Sequence, residues 1–77
     1  MELDVFVKQF ANMFDDTDPN SISASTSFRN LPEWSSLLVL STIVLADEEY
    51  GVEIEGEDLG QLITVEDIFN LIKSKQE

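Results

Sequence analysis

Apolar residues in the first segment of the chain recur at helical spacing. The positions follow an i, i+3, i+4, i+7, i+11 pattern, which forms one stripe along a helix: Leu3, Phe6, Val7, Phe10 and Phe14. The acids Glu2 and Asp4 lie in the first turn, where they suit the positive end of the helix dipole. The pattern predicts a helix from residue 2 to about residue 14.

The stretch over residues 15–35 has no such periodicity. Asp, Asn, Pro and Ser dominate it, and Pro19 argues against a continuous helix. A loop of this length is unusual in a compact domain and needs a reason. We expect Ile22, Phe28 and Leu31 to anchor it to the core.

A second helix is predicted to begin at Ser35 or Ser36 and to run to Tyr50. Either hydroxyl can cap the free N–H groups of the first turn. Gly51 then supplies the left-handed residue that ends a helix, and Val52 can fold back on it.

Two further helical segments follow. Residues 55–59 predict a short turn that carries Leu59, and the last helix is expected to begin at Thr64, with Asp67 completing an imperfect capping box. Lys73 and Lys75 lie in its final turn, where cations are favoured. Its apolar positions are Val65, Ile68, Phe69, Leu71 and Ile72. Three helices plus a short fourth predict an all-α bundle, one domain over residues 1–77 with a long first loop.

The second helix has more apolar surface than one core face can use. At about 100° per residue, one stripe is predicted to face the core: Val39, Ile43, Ala46 and Tyr50. Leu38 and Leu45 are predicted to lie nearly opposite this stripe. Leu37 and Val44 are predicted to lie on one flank of it, beside Ser41 and Glu48. Either the helix packs on several sides, with the long loop covering it, or it leaves an apolar patch that marks a contact surface.

Composition narrows the classes of function. The 77 residues contain no cysteine and no histidine, which excludes disulfides, thiol nucleophiles and histidine acid–base chemistry. The net charge is −12, and no basic residue lies between Arg29 and Lys73. Nucleic acid and anionic membranes are therefore poor partners, whereas basic proteins are favoured, although an acidic stretch also serves as a plain solvated surface.

The chain offers no targeting signal to the eye. No apolar run approaches the length of a membrane span, and the first residues carry acids where a secretion signal has bases. We therefore expect a cytoplasmic protein with no membrane insertion. We also expect a monomer.

The motif Leu-Pro-Glu-Trp-Ser-Ser-Leu at residues 31–37, a helix, and then Asp-Glu-Glu-Tyr-Gly-Val-Glu-Ile at 47–54 resemble the acyl carrier protein family. Residues 62–68 are similar to the start of the family's last helix, so the likeness covers nearly the whole chain. The resemblance implies a small acidic four-helix bundle with a long first loop. The Leu-Pro-Glu-Trp segment looks like that of free-standing carriers in specialised pathways.

By position, the resemblance implies that Ser36, which precedes Leu37, bears 4′-phosphopantetheine. A phosphopantetheinyl transferase would add this arm from coenzyme A, and the arm's thiol would carry acyl or aminoacyl cargo as a thioester. Such an arm can carry fatty acyl, polyketide or amino acid groups. The carrier is then no enzyme, because the arm supplies the thiol and separate enzymes perform each chemical step. The positive end of a helix also favours a phosphate at Ser36.

Three positions depart from the family pattern. Ser35 stands where members have aspartate, and Leu38 and Ser41 stand where members often have acids that basic partners bind. Acids come only later, at residues 47–49. This predicts a docking surface with an apolar front half and an electrostatic back half, to which loading and transfer enzymes with basic faces would bind. The predicted docking residues are Leu37, Leu38, Ser41, Val44, Leu45, Glu48 and Glu49. A Leu38→Asp change is then expected to weaken binding of a partner.

Other interpretations remain open. The Ser35-Ser36 pair taken alone is ordinary helix capping, and the chain as a whole can be an unmodified interaction module that docks through its acidic, partly apolar second helix. Trp34 either shelters the arm or contacts a partner, or it packs against the loop or the first helix.

A calcium loop is also conceivable. Oxygen ligands at alternate positions begin an EF-hand-like pattern at Asp16, Asp18 and Asn20. However, Ser21 replaces the required glycine and Ser27 stands where a bidentate glutamate belongs, so this interpretation is disfavoured.

Overall fold

The computed structural model describes residues 2–76, and within that range the chain forms four α-helices and no strand. The helices are α1 (Glu2–Ala11), α2 (Ser36–Tyr50), α3 (Gly56–Leu59) and α4 (Val65–Gln76). Two short 3₁₀ helices, Pro19–Ser21 and Phe28–Asn30, lie in the long loop. α1 packs against α2 and α4, and α3 packs against α2. The predicted small all-α bundle is confirmed. Over the same residues, no helix combines the length and apolar character that crossing a membrane requires.

α1 ends three residues before its predicted end. Its last residue is Ala11, and the chain then tightens, because the N–H groups of Met13 and Phe14 donate to the carbonyls of Phe10 and Ala11, three residues back. Phe14 is nevertheless buried. The apolar stripe therefore continues beyond the helix, which is why spacing alone placed the end too late.

The two ends of α2 are built differently. At the C-terminal end Gly51 has a φ of 65°, the N–H of Val52 donates to the carbonyl of Ala46 (3.1 Å), and the Val52 side chain is buried, as predicted. At the other end Ser35 is the N-cap residue, but its hydroxyl makes no capping hydrogen bond. The expected serine cap at Ser35 is therefore not formed.

α4 begins with the predicted reciprocal cap. The Asp67 N–H donates to the Thr64 hydroxyl (3.1 Å), and the Asp67 carboxylate accepts the N–H groups of Thr64 (3.0 Å) and Ile63 (3.1 Å). The N–H of Thr64, then that of Ile63, lowers the pKa of Asp67 below its ordinary value. Leu59 of α3 is buried as expected, and Lys73 and Lys75 do lie in the last turn of α4.

An aromatic cluster forms the centre of the core. The ring of Phe10 lies within 6.5 Å, centre to centre, of four other aromatic rings. The cluster joins α1, α2, α4 and the loop through Phe6, Phe10, Phe14, Phe28, Trp34, Tyr50 and Phe69. Tilted and edge-to-face ring pairs of this kind add about 0.5–1.5 kcal/mol each beyond their buried area.

The long loop is fastened to this core and to the start of α4. Ile22 and Phe28 are buried and Leu31 is half-buried, which confirms the three predicted anchors. Backbone N–H groups also join the loop to α4, as Phe28 donates to Ile63 (3.2 Å), Val65 to Thr26 (3.1 Å) and Glu66 to Ala24 (2.9 Å). The Arg29 guanidinium donates to the carbonyl of Leu62. The loop is therefore a packed layer of the fold.

A Gly51→Ala change is expected to lower the free energy of unfolding by about 1–2 kcal/mol, the cost of a left-handed conformation for an L side chain. No atom lies within 4 Å of the added methyl, so steric clash contributes nothing. Gly60→Ala is the control, because Gly60 has an ordinary helical φ of −65° and its methyl meets the Glu57 carbonyl at an unstrained 3.5 Å. Urea denaturation measures both, and equal losses would contradict this account.

Candidate functional site at the start of the second helix

Ser36 is the first residue of α2, and its side chain is exposed. Ser35 before it is fully extended, and the Ser35 carbonyl accepts the N–H of Val39 (3.0 Å), the first intrahelical bond. The N–H groups of a helix's first turn have no acceptor within the helix and make its N-terminus electropositive. The Ser36 hydroxyl therefore stands in solvent at the positive end of a four-turn helix.

Glu33 holds the segment that leads to Ser36. Its Oε2 accepts the Asp15 N–H (2.8 Å), and its Oε1 accepts the Asp16 N–H (3.1 Å) and the Thr17 hydroxyl (2.8 Å). Desolvation raises the pKa of Glu33, but the hydrogen bonds from Thr17, Asp15 and Asp16 together lower it below its ordinary value. Because the pKa of Glu33 is lower in the folded protein than in the unfolded chain, the ionised carboxylate stabilises the fold at pH values above its ordinary pKa. This stabilisation is lost as the pH falls through the lowered pKa of the folded protein.

Trp34 packs into the core immediately after Glu33. Its ring meets that of Phe28 edge to face at 4.8 Å and stacks on that of Phe14 at 6.5 Å. It also lies 6.1 Å from the ring of Phe10. Of the two interpretations of Trp34, packing against the loop and the first helix is the one that the structure shows.

One face of α2 presents an uncovered apolar stripe. Leu37, Leu40 and Val44, at spacings of three and four, are 71%, 61% and 50% exposed. Asp47 and Glu48 continue the same face toward the C-terminal end and are exposed. We call these five residues the α2 face. The apolar surplus of this helix thus lies in water, and the loop does not cover it.

The predicted core side of α2 is confirmed in part, because Ala46 is fully buried and Val39, Ile43 and Tyr50 pack against the core. The most buried line of the helix is, however, shifted by about one residue from the predicted one. Leu38, predicted to dock partners, is only 5% exposed, and Thr42 and Ala46 are fully buried beside it, whereas Val39 and Ile43 are half-buried. A helix that is apolar all round gives periodicity nothing to choose between. Small side chains favour close packing, and the Thr42 hydroxyl satisfies itself by donating to the Leu38 carbonyl (2.8 Å).

The other predicted docking residues divide. Leu45 is half-buried against the core, and the Ser41 hydroxyl, at the border of the α2 face, donates to the Leu37 carbonyl (3.1 Å). Glu49 is exposed but lies on the α1 side, where it accepts a hydrogen bond from the Gln9 amide (3.2 Å). The α2 face thus keeps Leu37, Val44 and Glu48 of the predicted set. It adds Asp47 and also Leu40, which its spacing of three from Leu37 could have revealed.

The acidic pattern in the loop is used for local structure. The Asp18 carboxylate accepts the N–H of Asn20 (2.9 Å) and caps the first 3₁₀ helix. Nowhere in residues 2–76 do three or more acidic side chains gather in a way that could hold a metal ion. Two open clefts of about 500 and 550 Å³ lie between α1 and the loop and beside α3, and Ser36 lines neither of them.

No protein-family model matches this chain, and no solved structure matches it.

A Leu38→Ala change is expected to lower the free energy of unfolding by about 2–5 kcal/mol, the cost of a leucine-sized cavity. Leu37→Ala is its matched control, with the same change one position away at an exposed site, and should alter stability by about 0.5 kcal/mol or less. Thermal or urea unfolding measures both. A similar effect of the two changes would contradict the orientation of α2. Leu38→Asp would disturb the core and is no longer a test of docking.

Proposed function

We propose that this protein is an acyl carrier protein that bears 4′-phosphopantetheine on Ser36. The observation that carries the proposal is the exposed Ser36 hydroxyl at the first residue of α2, within the Leu-Pro-Glu-Trp-Ser-Ser-Leu motif that resembles the family. The chain itself performs no chemical step in this proposal. It presents acyl or aminoacyl groups to separate enzymes.

The residues around Ser36 fit a phosphate ester. Because the Ser35 hydroxyl makes no capping bond, it does not occupy the N–H groups of the first turn. A phosphate on the Ser36 oxygen would lie beside them, where the helix dipole favours negative charge. When bound, the pantetheine arm supplies the thiol that a chain without cysteine lacks. Because Ser36 is exposed, its oxygen is open to attack the pantetheine-side phosphorus of the coenzyme A diphosphate within a transferase. The new O–P bond forms as the diphosphate P–O bond breaks, adenosine 3′,5′-bisphosphate leaves, and the hydroxyl proton passes to a base of the transferase.

The α2 face fits the partners that such a carrier needs. Leu37, Leu40 and Val44 offer an apolar contact close to Ser36, and Asp47 and Glu48 offer charge beyond it. A partner with an apolar patch beside lysine or arginine would match both parts. The charged part speeds encounter, and the apolar part contributes most of the affinity.

The alternative is an unmodified interaction module, and the same exposed stripe supports it. A contact surface is useful to a protein whether or not Ser36 carries an arm. The two functions differ in one covalent bond, so intact mass distinguishes them.

Incubation with coenzyme A and a promiscuous phosphopantetheinyl transferase is expected to increase the intact mass by one phosphopantetheine. Ser36→Ala should abolish the increase, because it removes the only oxygen that accepts the arm, and Ser35→Ala should retain it. Mass spectrometry of the two variants measures this directly. A wild-type mass that does not change would favour the unmodified module, and a mass increase retained in Ser36→Ala would assign the arm elsewhere.

Leu40→Asp is expected to raise the KM of the apo-protein in the transferase reaction by about tenfold. Burying a leucine contributes about 1.5–3 kcal/mol, and 1.4 kcal/mol corresponds to a factor of ten. Val5→Asp is the matched control, because Val5 is 52% exposed on α1, away from the α2 face. Steady-state kinetics with each apo-protein gives the two values. Equal KM values for both variants would show that the transferase does not contact the α2 face.

A further inference from the structure

Glu33 ties the two ends of the long loop together. Its carboxylate accepts hydrogen bonds from Asp15, Asp16 and Thr17, which lie where the chain has just left α1. Glu33 itself lies three positions before Ser36. One side chain therefore fixes the segment that leads into α2 against the segment that leaves α1. Because the acceptor is charged, these bonds are stronger than those of a neutral amide.

Two residues just before α2 make contacts that hold the backbone leading into the helix. Ser35 contributes no side-chain cap, so the serine pair does not lock its own backbone. The Trp34 ring packs against the ring of Phe28, and the Trp34 backbone N–H donates to the Leu31 carbonyl (3.0 Å). Neighbouring side chains thus hold the backbone from two sides, with Glu33 bonded to the loop and Trp34 packed in the core.

We infer that Glu33 is a positioning residue for Ser36, an inference that rests on the proposed function. Glu33 holds the first turn of α2 in the orientation in which a transferase reaches the Ser36 hydroxyl. Both of its oxygens are bonded to the loop, so it does not act as a docking acid in place of the aspartate that Ser35 replaces.

Kinetics of arm transfer tests this role. In Glu33→Ala, kcat for modification of Ser36 is expected to fall by about tenfold to a hundredfold, the usual effect of a misplaced reacting group. The KM of the apo-protein should stay within about twofold, because the α2 face from Leu40 onward lies beyond the first turn of the helix. Glu33→Gln should lose less, since its amide oxygen still accepts a hydrogen bond. Thr17, whose hydroxyl donates to Glu33, gives a second test of the same contact. In Thr17→Ser, kcat should equal that of the wild type, and in Thr17→Val it should fall.

Asp67→Asn is the control for a general loss of stability. Asp67 also accepts two backbone N–H groups, but at the start of α4. The control is stringent, because the loop is bonded to that part of the chain as well. Its kcat should equal that of the wild type.

Amide hydrogen exchange supplies a measurement that needs no transferase. In Glu33→Ala the N–H groups of Trp34 and Val39 should exchange faster, and in Asp67→Asn they should not. Wild-type kcat and exchange in Glu33→Ala, or an equal loss of kcat in Asp67→Asn, would overturn the inference. A wild-type protein that accepts no arm would overturn the proposed function instead, and faster exchange in Glu33→Ala would then still support the positioning of α2 by Glu33.

Discussion

The packing of aromatic rings around Phe10 is the interaction on which the other features of the fold depend. Phe10 contributes from α1, while Phe28 and Trp34 contribute from the loop, so one cluster holds both a helix and an irregular segment. Phe6 extends the cluster to Phe69 of α4. A chain this small buries little apolar area per residue, and large rings supply much of it. The loop has a fixed shape because its aromatic side chains belong to the core.

In α2, the side that packs against the core and the side that is exposed to solvent consist of different residues. The most buried side of the helix consists of Leu38, Thr42 and Ala46, and the apolar side chains of the α2 face lie in water. The exposed part of the helix begins at Ser36, two residues after Trp34, which with Glu33 fixes the chain. The proposed carrier function requires both a fixed start of α2 and an uncovered contact surface. Both are properties of the segment between the loop and α2.

The sequence predicts the parts of this fold that depend on local chemistry. Gly51 ends α2 and Thr64 caps α4 as expected, because capping needs only residues within one turn. The orientation of α2 could not be predicted, since its apolar residues surround the helix and the core side depends on the other elements. The bonds of Glu33 to the start of the loop were also beyond reach, because they join residues 16 to 18 positions apart with no periodic pattern. The exposed position of Ser36 could be predicted because a serine at the start of a helix lies at the surface.

The bonds between the loop and the start of α4 also affect how the chain folds. The N–H of Glu66 donates to the carbonyl of Ala24, and this bond joins the two ends of the stretch of chain that contains α2 and α3. Such a closure must overcome loop entropy before it gains any contact energy. α-Helices alone form quickly, but this ring of backbone closes only when distant segments meet. We therefore expect this closure, together with the packing of α1 on α4, to make refolding slower than in bundles whose helices contact only their neighbours along the chain.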